Sequence, residues 1–475
     1  MSPSGVDLLT VDRGAVVAPA GCGKTQLIAE AVARHVGLRP ILVLTHTNAG
    51  VAALRGRLLN AGVVSKAYRL HTLDGWAMRL VAAFPRRSGI GPTALNLLDP
   101  DRDYPRIREA AGQLLRSGHI TNILRATFSR VIVDEYQDCT VLQHDVVGQL
   151  AQSLPTSVLG DPLQAVFGFG PDPLADWEDD VCATFPVVGE LSHPWRWVHA
   201  ESRALGEWLL GIRGNLLAGE PVDLRTAPAS VEWVELDGRD DFRVRAATAR
   251  RRPLNHGDCV IVLLPADRPQ LQRGVARRTP GAVTVEAVEL MDLIEFGSRL
   301  DLSHPSVVRI VLDFAKSVMT GVRVAALETR LGVLRRGTSR SPPSAVEEAA
   351  IALENDPTHR NVVLLLRELR SQAGARVFRP TLLGSCVDAL QVCVSNGSSL
   401  VDATRAVRER YRARGRGLPR RAVGSTLLVK GLEAESVLIL DADGLDARNL
   451  YVAMTRASKH LVVCSSTPVL HPPRH

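Results

Sequence analysis

The segment from residue 14 to residue 36 limits the possible folds of this chain more than any other. Residues 14–19 (Gly-Ala-Val-Val-Ala-Pro) predict a short apolar strand, and residues 24–36 predict a helix that begins directly after a glycine-rich turn. The turn reads Ala18-Pro19-Ala20-Gly21-Cys22-Gly23-Lys24-Thr25, which follows the pattern GxxxxGK[ST] except that Ala18 replaces the first glycine. A strand, a loop of this kind and a helix together bind phosphate at a helix N-terminus. We therefore expect an α/β fold with a nucleotide site.

The residue types in this loop have separate tasks in binding phosphate. Gly21 and Gly23 let main-chain N–H groups curl around the phosphates, and Lys24 reaches the β and γ oxygens. Thr25 offers its hydroxyl to Mg²⁺. A chance match is the alternative, but the position between a strand and a helix argues against it. The residues that we predict to contact the nucleotide are Ala20, Gly21, Cys22, Gly23, Lys24, Thr25 and Gln26.

Two adjacent carboxylates follow a wholly apolar run further along the chain. Val131–Val133 predicts a strand, and Asp134 and Glu135 come directly after it. At such a strand end, Asp134 can hold the Mg²⁺ that Thr25 shares, and Glu135 can orient and deprotonate the attacking water. A solvated acidic turn is the alternative. Together, the loop and the acidic pair predict Mg²⁺-dependent hydrolysis of a nucleoside triphosphate.

Several other short apolar runs predict strands of the same type. They lack alternation of polar and apolar residues, which is typical of parallel strands covered on both faces. We therefore predict two α/β units. The runs are Ile41–Thr45, Ser157–Leu159, Cys259–Leu264, Val437–Leu440 and Leu461–Cys464.

The domain boundaries follow from changes in this pattern. Residues 1–190 form the predicted first domain, which carries a short polar insertion at about residues 82–125. Residues 191–475 form the predicted second domain. Helical segments replace strands in it between about residues 285 and 418, so we expect a mainly helical insertion there.

Composition argues against a membrane or secreted protein. No stretch approaches the roughly 18 uninterrupted apolar residues that a membrane-spanning helix needs. The first residues lack the basic-then-apolar order of a secretory signal, so we expect a cytoplasmic protein without a membrane partner.

Charge and potential metal ligands point to a polyanionic partner and to no metal site of the chain's own. The net charge is +7, and neither the seven cysteines nor the thirteen histidines have metal-ligand spacing, so any metal should arrive with a ligand. Only five of the 57 basic residues are lysines, which makes each lysine a candidate functional residue. They are Lys24, Lys66, Lys316, Lys430 and Lys459.

Four motifs in order resemble those of the UvrD/Rep-like superfamily 1 DNA helicases. They are the loop in its Ala-x-x-Gly-x-Gly-Lys-Thr form, Asp-Glu-x-Gln-Asp at 134–138, Gly-Asp-Pro-Leu-Gln-Ala-Val-Phe-Gly-Phe at 160–169, and Tyr-Val-Ala-Met-Thr-Arg-Ala at 451–457. The resemblance implies two RecA-like P-loop domains with parallel sheets and ATP between them. It also implies that Gln164 senses the γ-phosphate and that Arg456 completes the site.

Looser matches extend this resemblance. Leu191-Ser192-His193-Pro194-Trp195-Arg196 occupies the place of the family's Asn-Tyr-Arg, which implies that Arg196 is a second γ-phosphate arginine. Lys430-Gly431-Leu432-Glu433 matches the family's Lys-Gly-Leu-Glu, which implies that Glu433 lies at the nucleotide.

Thr45-His46-Thr47-Asn48 resembles the strand-binding Thr-Phe-Thr-Asn, and Thr72-Leu73-Asp74-Gly75-Trp76 resembles the motif that follows it. For the aromatic rings, packing between domains is the alternative to stacking on bases. The residues implied to contact single-stranded DNA are Thr45, Thr47, Asn48, Thr72, Trp76, Phe167, Phe169 and Trp195.

The chain also departs from the family pattern. The family carries a glutamine upstream of the phosphate loop that reads adenine, whereas the first glutamine here is Gln26, after the loop. The strand-binding motif continues with Ala49 instead of the usual lysine.

The resemblance implies an ATP-dependent DNA translocase or helicase that moves 3′ to 5′ on single-stranded DNA or on DNA with single-stranded ends. The implied pathway is DNA repair or anti-phage defence. Defence is implied because chain length and motif order are similar to those of the helicase-like subunit of the Gabija system, which partners an OLD-type nuclease. The alternative is a nucleotide-gated DNA-sensing subunit that activates a partner nuclease without autonomous unwinding.

Overall fold

The structure is a computed structural model that describes residues 5–91, 94–95, 97, 99–167, 172–287, 290–413 and 418–473. The chain forms two compact units. The first comprises Met1–Leu236 and Lys430–His475, and the second comprises Asp237–Val429.

The first unit alternates strands and helices in both of its chain segments. The N-terminal segment contains β1 (Arg13–Val17), α1 (Lys24–Arg34), β2 (Ile41–Thr45), α2 (Asn48–Asn60), β3 (Tyr68–Thr72), α3 (Leu73–Ala83), α4 (Pro85–Ser88), α5 (Pro100–Arg116), α6 (Thr121–Thr127), β4 (Val131–Val133), α7 (Val141–Leu150), β5 (Thr156–Gly160), β6 (Val187–Glu190), α8 (Trp195–His199), α9 (Arg203–Ala218), β7 (Val222–Asp223) and β8 (Val231–Glu235).

The second unit is mainly helical. Its elements are α10 (Asp241–Ala249), β9 (Val260–Leu263), α11 (Pro269–Arg278), β10 (Val283–Thr284), α12 (Met291–Arg299), α13 (Val307–Val318), β11 (Met319–Thr320), α14 (Val324–Arg335), α15 (Ala345–Asn355), α16 (His359–Ser371), β12 (Arg376–Val377), α17 (Pro380–Asn396), α18 (Leu400–Ala413), β13 (Arg421–Gly424) and α19 (Thr426–Val429).

The C-terminal segment of the first unit adds β14 (Ala434–Ile439), α20 (Ala447–Met454), β15 (Ala457–Ser465) and β16 (Val469–Leu470).

A six-stranded sheet of the order β3-β2-β4-β5-β1-β6 forms the centre of the first unit, and all of its pairs are parallel. Alternate residues of its strands enter two different cores, for example Leu42 and Val133 on one face and Val43 and Ile132 on the other. Both faces are therefore covered, which explains the uninterrupted apolar runs. Because the strands are parallel, the segments that follow β1, β4 and β5 leave the sheet at the same edge.

The second six-stranded sheet has the order β10-β13-β9-β14-β15-β8. In the first unit, β14 pairs with β15 and β15 with β8, both in parallel. In the second unit, β13 pairs in parallel with β10 and β9. Two sheets of this kind confirm the predicted α/β fold of two RecA-like domains with parallel sheets.

The compact units are bounded differently from the predicted domains. The segment Lys430–His475 belongs to the first unit, since β15 pairs with β8 and α20 packs against α9. Helices α4, α5 and α6 lie in and just beyond the segment predicted as the first insertion, and α12–α18 lie in the segment predicted as the second. The domain boundaries at residues 190 and 191 stay a prediction.

A largely buried charge network ties α5 to the beginning of α3. Arg108 on α5 donates from Nε to Oδ1 of Asp74 at 2.7 Å and from Nη1 to Oδ2 of Asp172 at 3.0 Å. Gln143 donates a further hydrogen bond to Asp74. Burial by itself would raise the pKa of the Asp74 carboxyl, but Arg108 holds it below its usual value. Asp74 thus has structural partners in Arg108 and Gln143.

Candidate nucleotide site

The phosphate loop joins β1 to α1 and has two left-handed glycines. Gly21 has φ +72° and Gly23 has φ +90°, which residues with a side chain rarely adopt. A Cβ would also lie 2.7 Å from the Trp197 ring at Gly21 and 2.9 Å from the Trp195 ring at Gly23. Helix α1 begins at Lys24 without a side-chain cap. Its first N–H groups therefore have no acceptor within the helix and can serve an anion.

The predicted acidic pair lies against this loop. The Nζ of Lys24 is 2.7 Å from Oε1 of Glu135 and 3.3 Å from Oδ1 of Asp134. Glu135 has φ +56°, an uncommon conformation for a residue with a side chain. Gln137 donates from Nε2 to Oε2 of Glu135 at 2.6 Å, which fixes that carboxylate further.

Burial and neighbouring charges give the two carboxyl groups different pKa values. Burial raises the pKa of Asp134 to about 6. Burial would also raise the pKa of Glu135, but Lys24 and Lys430 lower it to about 2. Glu135 is therefore ionised at neutral pH, as a general base must be. The pKa of Lys24, which burial alone would lower, is raised by its two carboxylate partners.

The donor set fits a magnesium ion. Mg²⁺ prefers oxygen ligands, and Thr25 and Asp134 supply a hydroxyl and a carboxylate. The raised pKa of Asp134 means that burial disfavours its charge, so a nearby divalent cation would restore the ionised form. Thr25 and Asp134 are thus the residues that would hold the ion.

The third motif follows β5 and is joined to the C-terminal segment. The Nε2 of Gln164 donates to Oδ2 of Asp161 at 3.1 Å, and Nη2 of Arg456 donates to Oε1 of Gln164 at 3.3 Å. Arg213 donates to Asp161 from Nη2 at 3.2 Å. Burial and the positive charge of Arg196 together lower the pKa of Arg456 to about 10. The structure therefore joins Gln164 to Arg456. Their roles at the γ-phosphate stay a prediction.

Helix α8 brings Arg196 to the phosphate loop. The main-chain N–H of Arg196 donates to the carbonyl of Gly21 at 3.1 Å. Its guanidinium pairs with Glu433 and donates to the carbonyl of Thr455, while its Nε is buried without a partner. The Tyr451 hydroxyl accepts from the N–H of Ala20 at 3.3 Å. The predicted residues Ala20, Arg196 and Glu433 thus belong to one region.

Cys22 and Gln26 are two further residues predicted to contact the nucleotide. Cys22 is buried in the loop, and burial raises the pKa of its thiol to about 12. Gln26 is exposed and donates to Glu30 at 2.9 Å. Its side chain therefore has a partner on its own helix.

Among the described residues, those predicted to contact DNA differ in burial and in their hydrogen-bond partners. Thr47 and Thr72 accept from the N–H of Gly50 and Gly75, so each caps a helix that follows a strand. Trp76 is only 5% exposed and packs in the core beside α5, so its stacking on a base stays a prediction without structural support. Thr45 is buried at the end of β2, and its Oγ1 has no partner.

Trp195 lies at the phosphate loop and between two histidines. Its ring centre is 4.1 Å from that of His193 and 5.7 Å from that of His199. Phe167 contacts His46, and Asn48 begins α2. Phe169 lies outside the described residues.

Sequence reasoning missed Asp161, Arg213 and Tyr451. Asp161 directly follows a buried strand, which is a signal of the kind that identified Asp134. Arg213 is on α9 and has no comparable signal, because only the fold brings it to Asp161. Tyr451 begins a matched motif, but its contact with Ala20 joins residues 431 positions apart.

A family model described as "AAA domain" matches residues 7–170. This range contains the loop, the acidic pair and Gln164. The segment is a P-loop nucleotide-binding domain. No curated protein matches the chain.

The chain was also compared with solved structures. One of the matching structures is described as "Complex structure of Arterivirus nonstructural protein 10 (helicase) with DNA", at 10% sequence identity and a TM-score of 0.36. The match covers 95% of this chain and 60% of that one, so the chain spans less than two thirds of its length. No helix within the described residues is both long and apolar enough to cross a bilayer.

Proposed function

We propose that this protein is an ATP-dependent DNA translocase or helicase. The observation that carries the proposal is the composition of the nucleotide site. Five separate segments supply it: the phosphate loop, the acidic pair, Gln164, Arg196 and Arg456. A domain that only bound nucleotide would not need a general base, a γ-phosphate sensor and two arginines.

Each side chain has a defined task in hydrolysis. Lys24 and the N-terminus of α1 bind the phosphates, and Glu135 orients and deprotonates the attacking water. Gln164 and Arg456 stabilise the charge that develops on the γ-phosphate. Mg²⁺ held by Thr25 and Asp134 would neutralise charge on the phosphates.

The pairing of Lys24 with Glu135 suggests how the site is kept inactive without nucleotide. The same ammonium serves the carboxylates in this structure and the phosphates in the proposed complex. Phosphate binding therefore frees Glu135 from its cationic partner. A base is released only when substrate is present, which couples binding to catalysis.

The base of the nucleotide has a candidate platform. Trp195 lies against Gly23 of the loop, and two histidine rings flank it. An aromatic ring at this place can stack on a base. We therefore propose Trp195 as a nucleotide contact in preference to the DNA contact inferred from the motif.

The action on DNA rests on the motif series and on charge. The positive net charge and the aromatic residue Phe167 after the γ-phosphate sensor suit a single-stranded polyanion with stacked bases. Movement from 3′ to 5′, a role in repair or anti-phage defence and an OLD-type nuclease partner are further parts of the proposal, and they rest on the resemblance alone.

Steady-state ATP hydrolysis with and without single-stranded DNA tests the proposal. We expect DNA to stimulate turnover, and we expect Glu135→Gln to abolish it. Glu220→Gln, an exchange of an exposed glutamate on the same unit, should leave turnover unchanged. Absence of hydrolysis under both conditions in the intact protein would contradict the proposal.

A further inference from the structure

The ammonium of Lys430 joins three segments that flank the nucleotide site. Its Nζ donates to Oδ1 of Asp138 at 2.6 Å and to the main-chain carbonyl of Gln164 at 2.5 Å. The same atom lies 4.8 Å from the centre of the Phe167 ring. All four residues belong to the first unit. Lys430 is also one of only five lysines in the chain.

The contact between Lys430 and Asp138 is deeply buried. The Lys430 side chain is 7% exposed and that of Asp138 is 2% exposed. A buried ion pair gains little net stability over apolar residues of the same size, because both charges lose their hydration. Stability alone therefore does not account for a lysine at this position.

Gln164 makes hydrogen bonds through both its side chain and its main chain. Its side-chain amide contacts Asp161 and Arg456, and its main-chain carbonyl accepts from Lys430. A displacement of Lys430 would move the carbonyl and with it the side chain proposed as the γ-phosphate sensor. The position of Gln164 thus depends on that of Lys430.

Phe167 is the residue through which Lys430 approaches the predicted DNA-binding segment. Its ring centre lies 5.9 Å from that of His46, which is in the segment predicted to bind the DNA strand. The Nδ1 of His46 is buried and has no hydrogen-bond partner. A base that stacks on Phe167 would change the ring position and therefore the cation–π contact with Lys430.

We propose that Lys430 is a positioning residue that transmits DNA binding at Phe167 to Gln164 in the nucleotide site. The inference rests on the proposed function and adds the residue that couples its two ligands. Coupling of this kind is reciprocal, so nucleotide must change the affinity for DNA by the same factor as DNA changes the affinity for nucleotide.

The coupling factor is measurable by fluorescence anisotropy with a labelled oligothymidylate, with and without a non-hydrolysable ATP analogue and Mg²⁺. In the wild-type protein we expect the analogue to change the DNA dissociation constant by at least about five-fold. Lys430→Met should bring the ratio close to one, and Lys430→Arg should restore part of it. Lys66→Met, the same exchange at an exposed lysine of the first unit, should keep the wild-type ratio.

Lys430→Met leaves the carboxylate of Asp138 buried without its cation, which could prevent folding. The double variant Lys430→Met with Asp138→Asn removes both charges and keeps the shapes, so it provides the same test in a stable background. It should also show a ratio close to one.

An unchanged ratio in either folded variant would overturn the inference, and so would a wild-type ratio of one. Both results leave the proposed function intact if the wild-type protein hydrolyses ATP. Absence of hydrolysis by the wild-type protein would instead contradict the proposed function, so the two failures are distinguishable.

Discussion

Arg456 donates a hydrogen bond from Nη2 to the side-chain oxygen of Gln164, although the two residues are 292 positions apart in the chain. Both side chains are buried. One follows β5 of the first sheet, and the other precedes β15 of the second. The contact joins a proposed γ-phosphate sensor to a proposed γ-phosphate arginine.

Arg456→Ala should therefore reduce the rate of hydrolysis far more than it reduces nucleotide binding. Arginines that stabilise transition-state charge in phosphoryl transfer contribute about 10³-fold or more to turnover. We expect a loss of that order in kcat and a change in KM of less than about ten-fold. Steady-state kinetics test this, with Arg203→Ala on the exposed face of α9 as the control. Equal losses in kcat and in nucleotide affinity would contradict the assigned role.

Glu135→Gln should reduce hydrolysis while it strengthens nucleotide binding. Loss of a general base lowers turnover by about 10²–10⁴-fold. The same exchange removes the charge that pairs with Lys24 at 2.7 Å, so the lysine becomes available to phosphate. We expect tighter binding of a fluorescent ATP analogue in an equilibrium titration. Weaker binding by this variant would show that Lys24 and Glu135 do not compete as described.

Gly23→Ala should abolish nucleotide binding and destabilise the fold. The residue has φ +90°, and a Cβ would lie 2.9 Å from the Trp195 ring. Left-handed backbone at a residue with a side chain costs about 1–3 kcal/mol, to which the contact with Trp195 adds. Gly62→Ala is a matched control, because Gly62 has φ +69° but open space around it. Thermal unfolding of both variants measures the difference, and equal losses would exclude the steric effect.

Arg108→Met should destabilise the first unit in a pH-dependent manner. Asp74 and Asp172 would lose their cation. Removal of one partner from a fully buried ion pair costs about 3–5 kcal/mol, and this partly exposed network should lose less than that but more than an exposed pair. The folded-state pKa of Asp74 is lowered from 3.8, so its pairing stabilises the fold above that pH and ceases to do so as the pH falls through the folded value. The difference between wild type and variant should therefore be largest near neutral pH and shrink in acid.

Urea unfolding at neutral pH and at a pH well below 3.8 measures this difference. Arg116→Met is the control on the same helix, because its pair with Asp145 is substantially exposed and should contribute less than about 1 kcal/mol. A loss for Arg108→Met that does not vary with pH would contradict the assignment to Asp74.

The sequence predicts the strands that are continuous apolar runs, but not β3, β6, β8, β10 and β13 of the two sheets. Val131–Val133 and Ile41–Thr45 were predicted as strands and are β4 and β2, because buried parallel strands need apolar residues on both faces. Lys24 and the acidic pair were recognised because each directly adjoins a predicted strand or helix.

Sequence could not reveal contacts that depend on tertiary folding. The motif predicts a DNA contact for Trp76 and does not reveal that α5 covers its helix, which leaves the ring 5% exposed; the DNA contact stays a prediction. The contact of Lys430 with Asp138 joins residues 292 positions apart, and no local pattern records it. Thr47 and Thr72 cap the helices that follow strand ends. The DNA contacts that the resemblance implies for them stay a prediction.

The most direct test of the account is whether ATP hydrolysis drives movement along single-stranded DNA. Release of streptavidin from biotinylated oligonucleotides measures this movement at either end. We predict ATP-dependent release from the 5′ end, little release from the 3′ end, and none with Glu135→Gln. Stimulated ATP hydrolysis without release from either end would contradict the proposal that this protein is a translocase.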